Sequence, residues 1–203
     1  MSQILSAFPS DLPAAVMIAM HTAPGGAGRL AAVLDRAGRL PSSMATDGEP
    51  ILESSIYVAP PNHHLFVNDG VMQLGQGPRE NGFRPATDPL FRSAAKSYGH
   101  RVVGVILSGG LSDGARGLEE VMRRGGVTVV QDPADAIQPS MPQSALARMS
   151  PDHVLPGDQI ASELVGIVMR RSQRRGPAVA RREARDPARV GRVEWLSAKD
   201  PGA

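Results

Sequence analysis

Three observations predict an α/β fold with three layers: a doubly wound, mostly parallel sheet between helices, with an appended antiparallel hairpin region. First, residues 14–20 (AAVMIAM) and 102–107 (VVGVIL) are apolar without alternation, and 127–130 (VTVV) is nearly so. Such runs suit strands buried on both faces, as a helix-covered parallel sheet requires. Second, the first two runs end in glycine turns and lead into stretches with helical apolar spacing, the order that crossover units produce. Third, residues 47–74 differ in texture: Ile56-Tyr57-Val58 and Leu65-Phe66-Val67 are short strand-like runs, and Asn68-Asp69-Gly70 before Val71-Met72 is a hairpin signal. This region reads as antiparallel strands added to the parallel sheet.

The elements follow in order. Ile4, Leu5 and Phe8 have helical spacing, and Pro9 ends that first helix. A doubly wound domain is expected to begin with a strand and a turn, so opening inside a helix is abrupt. The strand at 14–20 comes next, then His21 and the turn Thr22-Ala23-Pro24-Gly25-Gly26. Residues 28–37 form a helix with Leu30, Val33 and Leu34 inward and Gly38 as its stop. Beyond the hairpin region, Thr87 or Asp88 followed by Pro89 marks a helix start, with Leu90, Phe91 and Ala94 inward and Gly99 closing it. The strand at 102–107 breaks at Ser108-Gly109-Gly110. After Asp113-Gly114, Leu118, Val121 and Met122 recur at helical spacing, with Glu119 and Glu120 early and Arg123 and Arg124 late, complementing the helix dipole. Gly125 and Gly126 stop this helix. Then follow the strand at 127–130, a short helix at 143–149, a small strand at 153–155 and a final helix at 159–169.

Composition bounds the function classes. The 203 residues suffice for one domain with a full core, expected over residues 1–171. Aromatic residues make up only 3%, so aliphatic side chains must fill the interior. Without a cysteine there is no disulfide framework, thiolate metal site or cysteine nucleophile, which fits a reducing, cytoplasmic setting. No run reaches the roughly 18 apolar residues of a membrane span, and the N-terminus lacks a signal-peptide pattern. The net charge of +2 divides unevenly: from Arg170 onward ten basic and four acidic residues give +6, leaving −4 for the body. Residues 172–203, rich in Arg, Ala and Pro with a lone Trp195, read as a basic, mostly disordered tail. No aromatic interleaving or binding fold accompanies it, so nucleic acid is not an expected partner.

Two residues stand where open α/β sheets collect their chemistry, past the C-terminal ends of buried strands: His21 and Asp113. A histidine near neutrality serves as general base, and a carboxylate on its other nitrogen fixes tautomer and orientation. The plain alternatives are a solvated loop histidine and a helix N-cap formed by Asp113 or Ser112. His63-His64 fall in the antiparallel region, one inward and one outward, and His100 begins a strand. No helical metal-ligand spacing occurs, and no metal or organic cofactor is expected. The turn at 24–28, Pro-Gly-Gly-Ala-Gly, lacks the Walker lysine and the G-x-G-x-x-G spacing. Residues 110–114, Gly-Leu-Ser-Asp-Gly, match the G-x-S-x-G nucleophile elbow in a strand–turn–helix context, with His153 later in the chain. That pattern makes an esterase using Ser112 an alternative reading.

Several blocks, in order, resemble the catalytic domain of the chemotaxis receptor methylesterases, which remove methyl groups from receptor glutamates. They are MHTAP at 20–24, DGEPI at 47–51, IYVAPPNHHL at 56–65, RPATDPLFRSAA at 84–95, VVGVILSGGLSDGARGL at 102–118, and QDP with the later MPQSA. The resemblance covers residues 2–169. Standalone members commonly carry a turn like SGGLSDGA where the chemotaxis enzymes have a methionine and an asparagine, so Gly110 and Ser112 depart within family range. The resemblance implies a Ser-His-Asp triad with His21 and Asp113 as two members, and backbone around Gly110 as part of the oxyanion site. It also implies methylated receptor cytoplasmic domains as substrate and glutamine deamidation as a second activity.

The family's serine maps onto nothing in this sequence. It belongs to a turn like G-A-S-x-G-G after a first strand, and both should precede the helix with which this chain begins; Ser2 and Ser6 lie within that helix. The chain as written is therefore expected to lack its nucleophile and a central strand, and to be inactive alone. A start site placed too late accounts for this, with a noncatalytic descendant that docks a receptor or kinase as the alternative. No receiver domain is expected ahead of the catalytic region.

Overall fold

The unbroken apolar runs form parallel strands covered on both faces. A computed structural model describes residues 1–21 and 26–183. Here β1 (Ala15–Ile18) and β2 (Ser42–Met44) flank β3 (Ser55–Val58) in a parallel sheet, with Val16 opposite Ile56 and Ser43 opposite Tyr57. A second parallel sheet has the order β6 (Val103–Ile106), β7 (Val127–Gln131), β8 (His153–Leu155), with Val105 opposite Val129 and Val130 opposite Val154. Between them in sequence, β4 (His64–Asn68) and β5 (Val71–Gly75) make the antiparallel hairpin. Its loop residues Asp69 and Gly70 both have positive φ, 43° and 90°, as a type I′ turn requires. Neither β1 nor β6 has a second strand partner among the described residues.

Alternate side chains of these strands enter different cores, which makes the architecture three-layered. Ile56 and Val58 of β3 join Ile18, Val129 and the partly buried Val103 and Val105 in one cluster. Helices α1 (Ser2–Ser6), α2 (Gly26–Ala37) and α6 (Gly157–Glu183) cover that face through Ile4, Leu5, Leu34 and Ile160. On the opposite face Tyr57 packs with Leu65, Val67, Met72 and Leu90, supplied by the hairpin and α3 (Thr87–Tyr98). Ile106 and Val130 pack there against Leu118 of α4 (Ala115–Arg123) and Ala145 of α5 (Ser140–Arg148).

Three expectations are corrected. The run Ile56-Tyr57-Val58 is not part of the antiparallel region but the central strand of the first parallel sheet; its burial on both faces, with Ile56 at 0% and Tyr57 at 3% exposure, is the physical reason. Its neighbour β2, Ser-Ser-Met, is too polar and short to read as a strand. Val33 faces outward, while Ala31 and Leu34 of the same helix enter the core. The final helix continues past Met169 to Glu183. The remainder of the basic tail, with Trp195, and the turn at 22–25 lie outside the described residues.

One close approach positions the site. A Cβ on Gly117 of α4 would fall 2.7 Å from the Phe91 Cβ and 3.0 Å from the Asp88 carbonyl oxygen. Only glycine lets α4 come this near to the first turn of α3.

Candidate active site

His21 and Asp113 meet although 92 residues separate them, because each lies just beyond the C-terminal end of a parallel strand, β1 and β6. His21 Nε2 lies 2.9 Å from Asp113 Oδ2, with the aspartate wholly buried and the histidine side chain 24% exposed. A buried carboxylate must be repaid with donors, and Asp113 has them. Its Oδ2 also accepts from Thr87 N–H at 2.6 Å. Its Oδ1 accepts from Asn81 Nδ2 at 3.0 Å and Asp88 N–H at 3.3 Å. Charge-assisted bonds of this kind are the strong ones.

The backbone donors identify an unforeseen role. Thr87 and Asp88 are the first residues of α3, so Asp113 caps α3 from across the fold. The positive end of that helix faces the negative carboxylate. The alternative in which Asp113 or Ser112 caps its own helix is not met: the N-cap of α4 is Gly114, at φ 88°, with no side-chain cap bond. Left-handed backbone there turns the chain so that Asp113 points back into the protein instead of along α4.

The imidazole has one nitrogen engaged and one free. Among the described residues the buried Nδ1 has no hydrogen-bond partner, and the Phe83 ring stands edge-on to the imidazole, 3.6 Å between centroids at 76°. Burial pushes His21 below its ordinary pKa, while the Asp113 charge works in the opposite direction. An ionised carboxylate accepts only, so the neutral ring keeps its proton on Nε2. Nδ1 is thereby left with its lone pair available, the state a general base needs near neutrality.

Asn81, Phe83 and Asp88 complete the site and were not singled out by the sequence. Asp88, 2% exposed, accepts from Asn81 Nδ2 at 2.9 Å and from Gly117 N–H at 2.6 Å. Asn81 has φ 52°, a backbone that Asn tolerates better than most residues. The Asn81-Gly82 dipeptide is legible as a turn, but nothing local says which carboxylates that turn meets.

The remaining candidates separate clearly. Gly110 is exposed, with nothing within 4 Å of its Cβ position. The turn that carries it is tied down on both sides: Gly109 N–H donates to the Gln138 carbonyl at 2.9 Å, and Ser108 N–H to Gln131 Oε1 at 2.8 Å. Ser112 is exposed, and the left-handed residue of its turn is Leu111, φ 65°, not the serine. A nucleophile elbow places its strain at the nucleophile. His64 is buried at 2% exposure with both nitrogens engaged, Nε2 with the Pro78 carbonyl at 2.9 Å and Nδ1 with Ala86 N–H at 3.2 Å. His63 bonds Pro61 and Gln76, and His100 sits in a 3-10 turn. Among the described residues no group of three or more acidic, histidine or cysteine side chains is placed to hold a metal ion. None of their helices is long and apolar enough to cross a membrane.

A family model described as CheB methylesterase matches residues 1–164 of this chain. The chain belongs to the CheB methylesterase family. A Methanosarcina mazei relative, "Protein-glutamate methylesterase/protein-glutamine glutaminase 2", is 34% identical over 176 residues, 83% of this chain and 48% of that protein. A Pyrococcus horikoshii relative of the same enzyme name is 34% identical over 170 residues, covering 82% and 46%. The chain thus spans about half the length of these curated relatives. A Leptospira interrogans protein named as a putative methylesterase/glutaminase is 35% identical over 168 residues, 82% of this chain and 87% of its own. The crystal structure of the Thermotoga maritima CheB methylesterase catalytic domain aligns with a TM-score of 0.79 at 30% identity, covering 82% of this chain and 90% of that one. The α/β fold of this chain is therefore that of a CheB catalytic domain, and its family is one of ester hydrolases.

Proposed function

We propose that this chain carries the base and orienting residue of a protein-glutamate methylesterase acting on methylated cytoplasmic domains of receptors. The observation that carries the reading is the His21–Asp113 pair, with a buried carboxylate on Nε2 and an unpartnered Nδ1. In the reaction a serine hydroxyl attacks the ester carbonyl of a methylated glutamate while His21 takes the hydroxyl proton. The carbonyl π electrons move to oxygen, and in this reading backbone N–H around Gly110 donates to that oxyanion. Collapse of the tetrahedral intermediate expels methoxide, which leaves as methanol with the proton from His21. Water, activated by the same imidazole, then cleaves the acyl-serine bond and regenerates the hydroxyl. A glutamine side chain follows the same steps with ammonia as the leaving group.

The nucleophile in this proposal is supplied by a segment outside the 203 residues. Two observations support that reading: among the described residues no serine bonds His21, and β1 and β6, whose ends carry the pair, each pair along one edge only. Exposed long edges are what folded sheets avoid. The test measures methanol release from a methylated receptor domain. It compares the 203-residue chain with the polypeptide read from the frame extended upstream of Met1. Release by the extended form alone, abolished by His21→Ala and lowered about 10^4-fold by Asp113→Asn, is expected. Binding without release by the extended form would establish a docking module instead. Release by the unextended chain, lost in Ser112→Ala, would establish the elbow esterase.

A further inference from the structure

We infer that Asn81 is a positioning residue for His21: its single side-chain amide ties the buried carboxylates of Asp113 and Asp88 together, and so fixes which imidazole nitrogen holds the proton. The inference rests on His21 and Asp113 being the working pair. Asn81 Nδ2 donates to Asp88 Oδ2 at 2.9 Å and to Asp113 Oδ1 at 3.0 Å, both hydrogens of one amino group being used. Two carboxylates at 2% and 0% exposure repel each other unless donors stand between them. Asn81 is the shorter of the two donors on Oδ1, at 3.0 Å against 3.3 Å for Asp88 N–H, and it restrains rotation of the carboxylate so that Oδ2 stays on His21 and Thr87 N–H.

The turn that carries Asn81 is itself held at both ends. Glu80 and Phe83 exchange backbone hydrogen bonds at 3.1 and 2.9 Å. Arg92, one helical turn after Asp88 on α3, reaches Glu80 Oε1 and Oε2 at 2.7 and 2.8 Å. Glu80 first, and then Asp88 and Asp113, hold the Arg92 guanidinium above its ordinary pKa. The charged groups facing the pair are thus Asp88 and Arg92 from α3 and Glu80 from the turn. The same turn sets Phe83 against the imidazole. One four-residue segment therefore controls both the carboxylate on Nε2 and one wall beside the ring.

The experiment is histidine-selective 15N NMR of the full 203-residue chain, which reads tautomer and protonation directly and needs no turnover. Asn81→Gly keeps the left-handed backbone and removes the amide. Asn81→Asp keeps the shape and places a third carboxylate where two donors stood. In the unsubstituted protein His21 shows one neutral tautomer, protonated at Nε2. In Asn81→Gly that fraction is expected to fall to about half, because the tautomer is set by the bond on the other nitrogen's partner. In Asn81→Asp the added negative charge is expected to raise the His21 midpoint, read from the same 15N signals. His64, fixed by Pro78 and Ala86, keeps its signals in both variants. His21 signals coincident with the unsubstituted protein in both variants overturn the inference. Equal disturbance of His21 and His64 overturns it as well, since Asn81 then serves the fold and not the pair. Absence of esterase activity leaves these readouts intact, so failure of the functional reading and failure of this inference are distinguishable.

Discussion

His21 and His64 belong to two regions of one molecule and are used in opposite ways. In the hairpin region His64 is buried with both nitrogens bonded to backbone groups. At the strand-end rim His21 has one nitrogen on a buried carboxylate and the other without a partner among the described residues. A ring satisfied at both nitrogens holds structure together; a ring satisfied at one and left basic at the other is available for proton transfer. Adjacent histidines at 63–64 attract attention in the sequence, yet it is the isolated His21 that meets a buried carboxylate.

The comparison is broken most directly by truncating each ring. His21→Ala in the catalytically complete polypeptide should lower methanol release by at least about 10^3-fold. Its urea midpoint should change little, because among the described residues no backbone group bonds that ring. His64→Ala should do the reverse. It leaves Ala86 N–H buried and unpaired, costing about 1–3 kcal/mol in urea unfolding. Loss of activity with equal loss of stability in both variants would erase the distinction.

A smaller effect is expected where the rim is built. Gly117→Ala puts a methyl group 2.7 Å from the Phe91 Cβ and presses on the first turn of α3. It should cost about 1–3 kcal/mol by overpacking. The NMR signals of His21 should shift more than those of His64, since α3 begins beside Asp113. Unperturbed His21 signals would show that the rim does not depend on this helix contact.

The availability of the His21 ring at the rim also depends on pH. Burial lowers the pKa of His21 and Asp113 opposes the shift, so the unfolded chain binds a proton here more readily than the folded one. Stability from this group is complete above its ordinary value of about 6.5 and declines as pH falls through the lower folded value. Activity should keep its neutral base to below about pH 6.5 for the same reason. Asp113→Asn removes the opposing charge and should move the His21 titration lower still, measured by NMR. A midpoint above 6.5 in the unsubstituted protein would reverse the sign. The smallest change is Ser112→Ala, expected to alter activity by less than about twofold, as for an exposed side chain outside the pair.

Some of this was legible from residue patterns. Unbroken apolar runs ending in glycine turns locate β1 and β6, and strand-end position alone selects His21 and Asp113. Asn68-Asp69-Gly70 announces its hairpin, since positive φ at successive positions has few residue solutions. By contrast, Ile56-Tyr57-Val58 reads equally as an edge or a central strand, because three apolar residues do not say how many faces are covered. Asp113 likewise matches a local cap by residue type, while its actual donors come from a helix that begins 26 residues earlier.

Local chemistry, which backbone dihedrals and side-chain periodicity impose within a few residues, determined most strands, the hairpin turn, the existence of the helices and the strand-end positions of His21 and Asp113. Tertiary structure alone decided that the first turn of α3 faces Asp113, that Asn81 spans two buried carboxylates, and that Phe83 covers the imidazole. Those contacts depend on how closely α3 and α4 approach and on where the 80–83 turn is anchored. Both are set by packing between segments distant in sequence, where burial and charge compensation act and local periodicity carries no information.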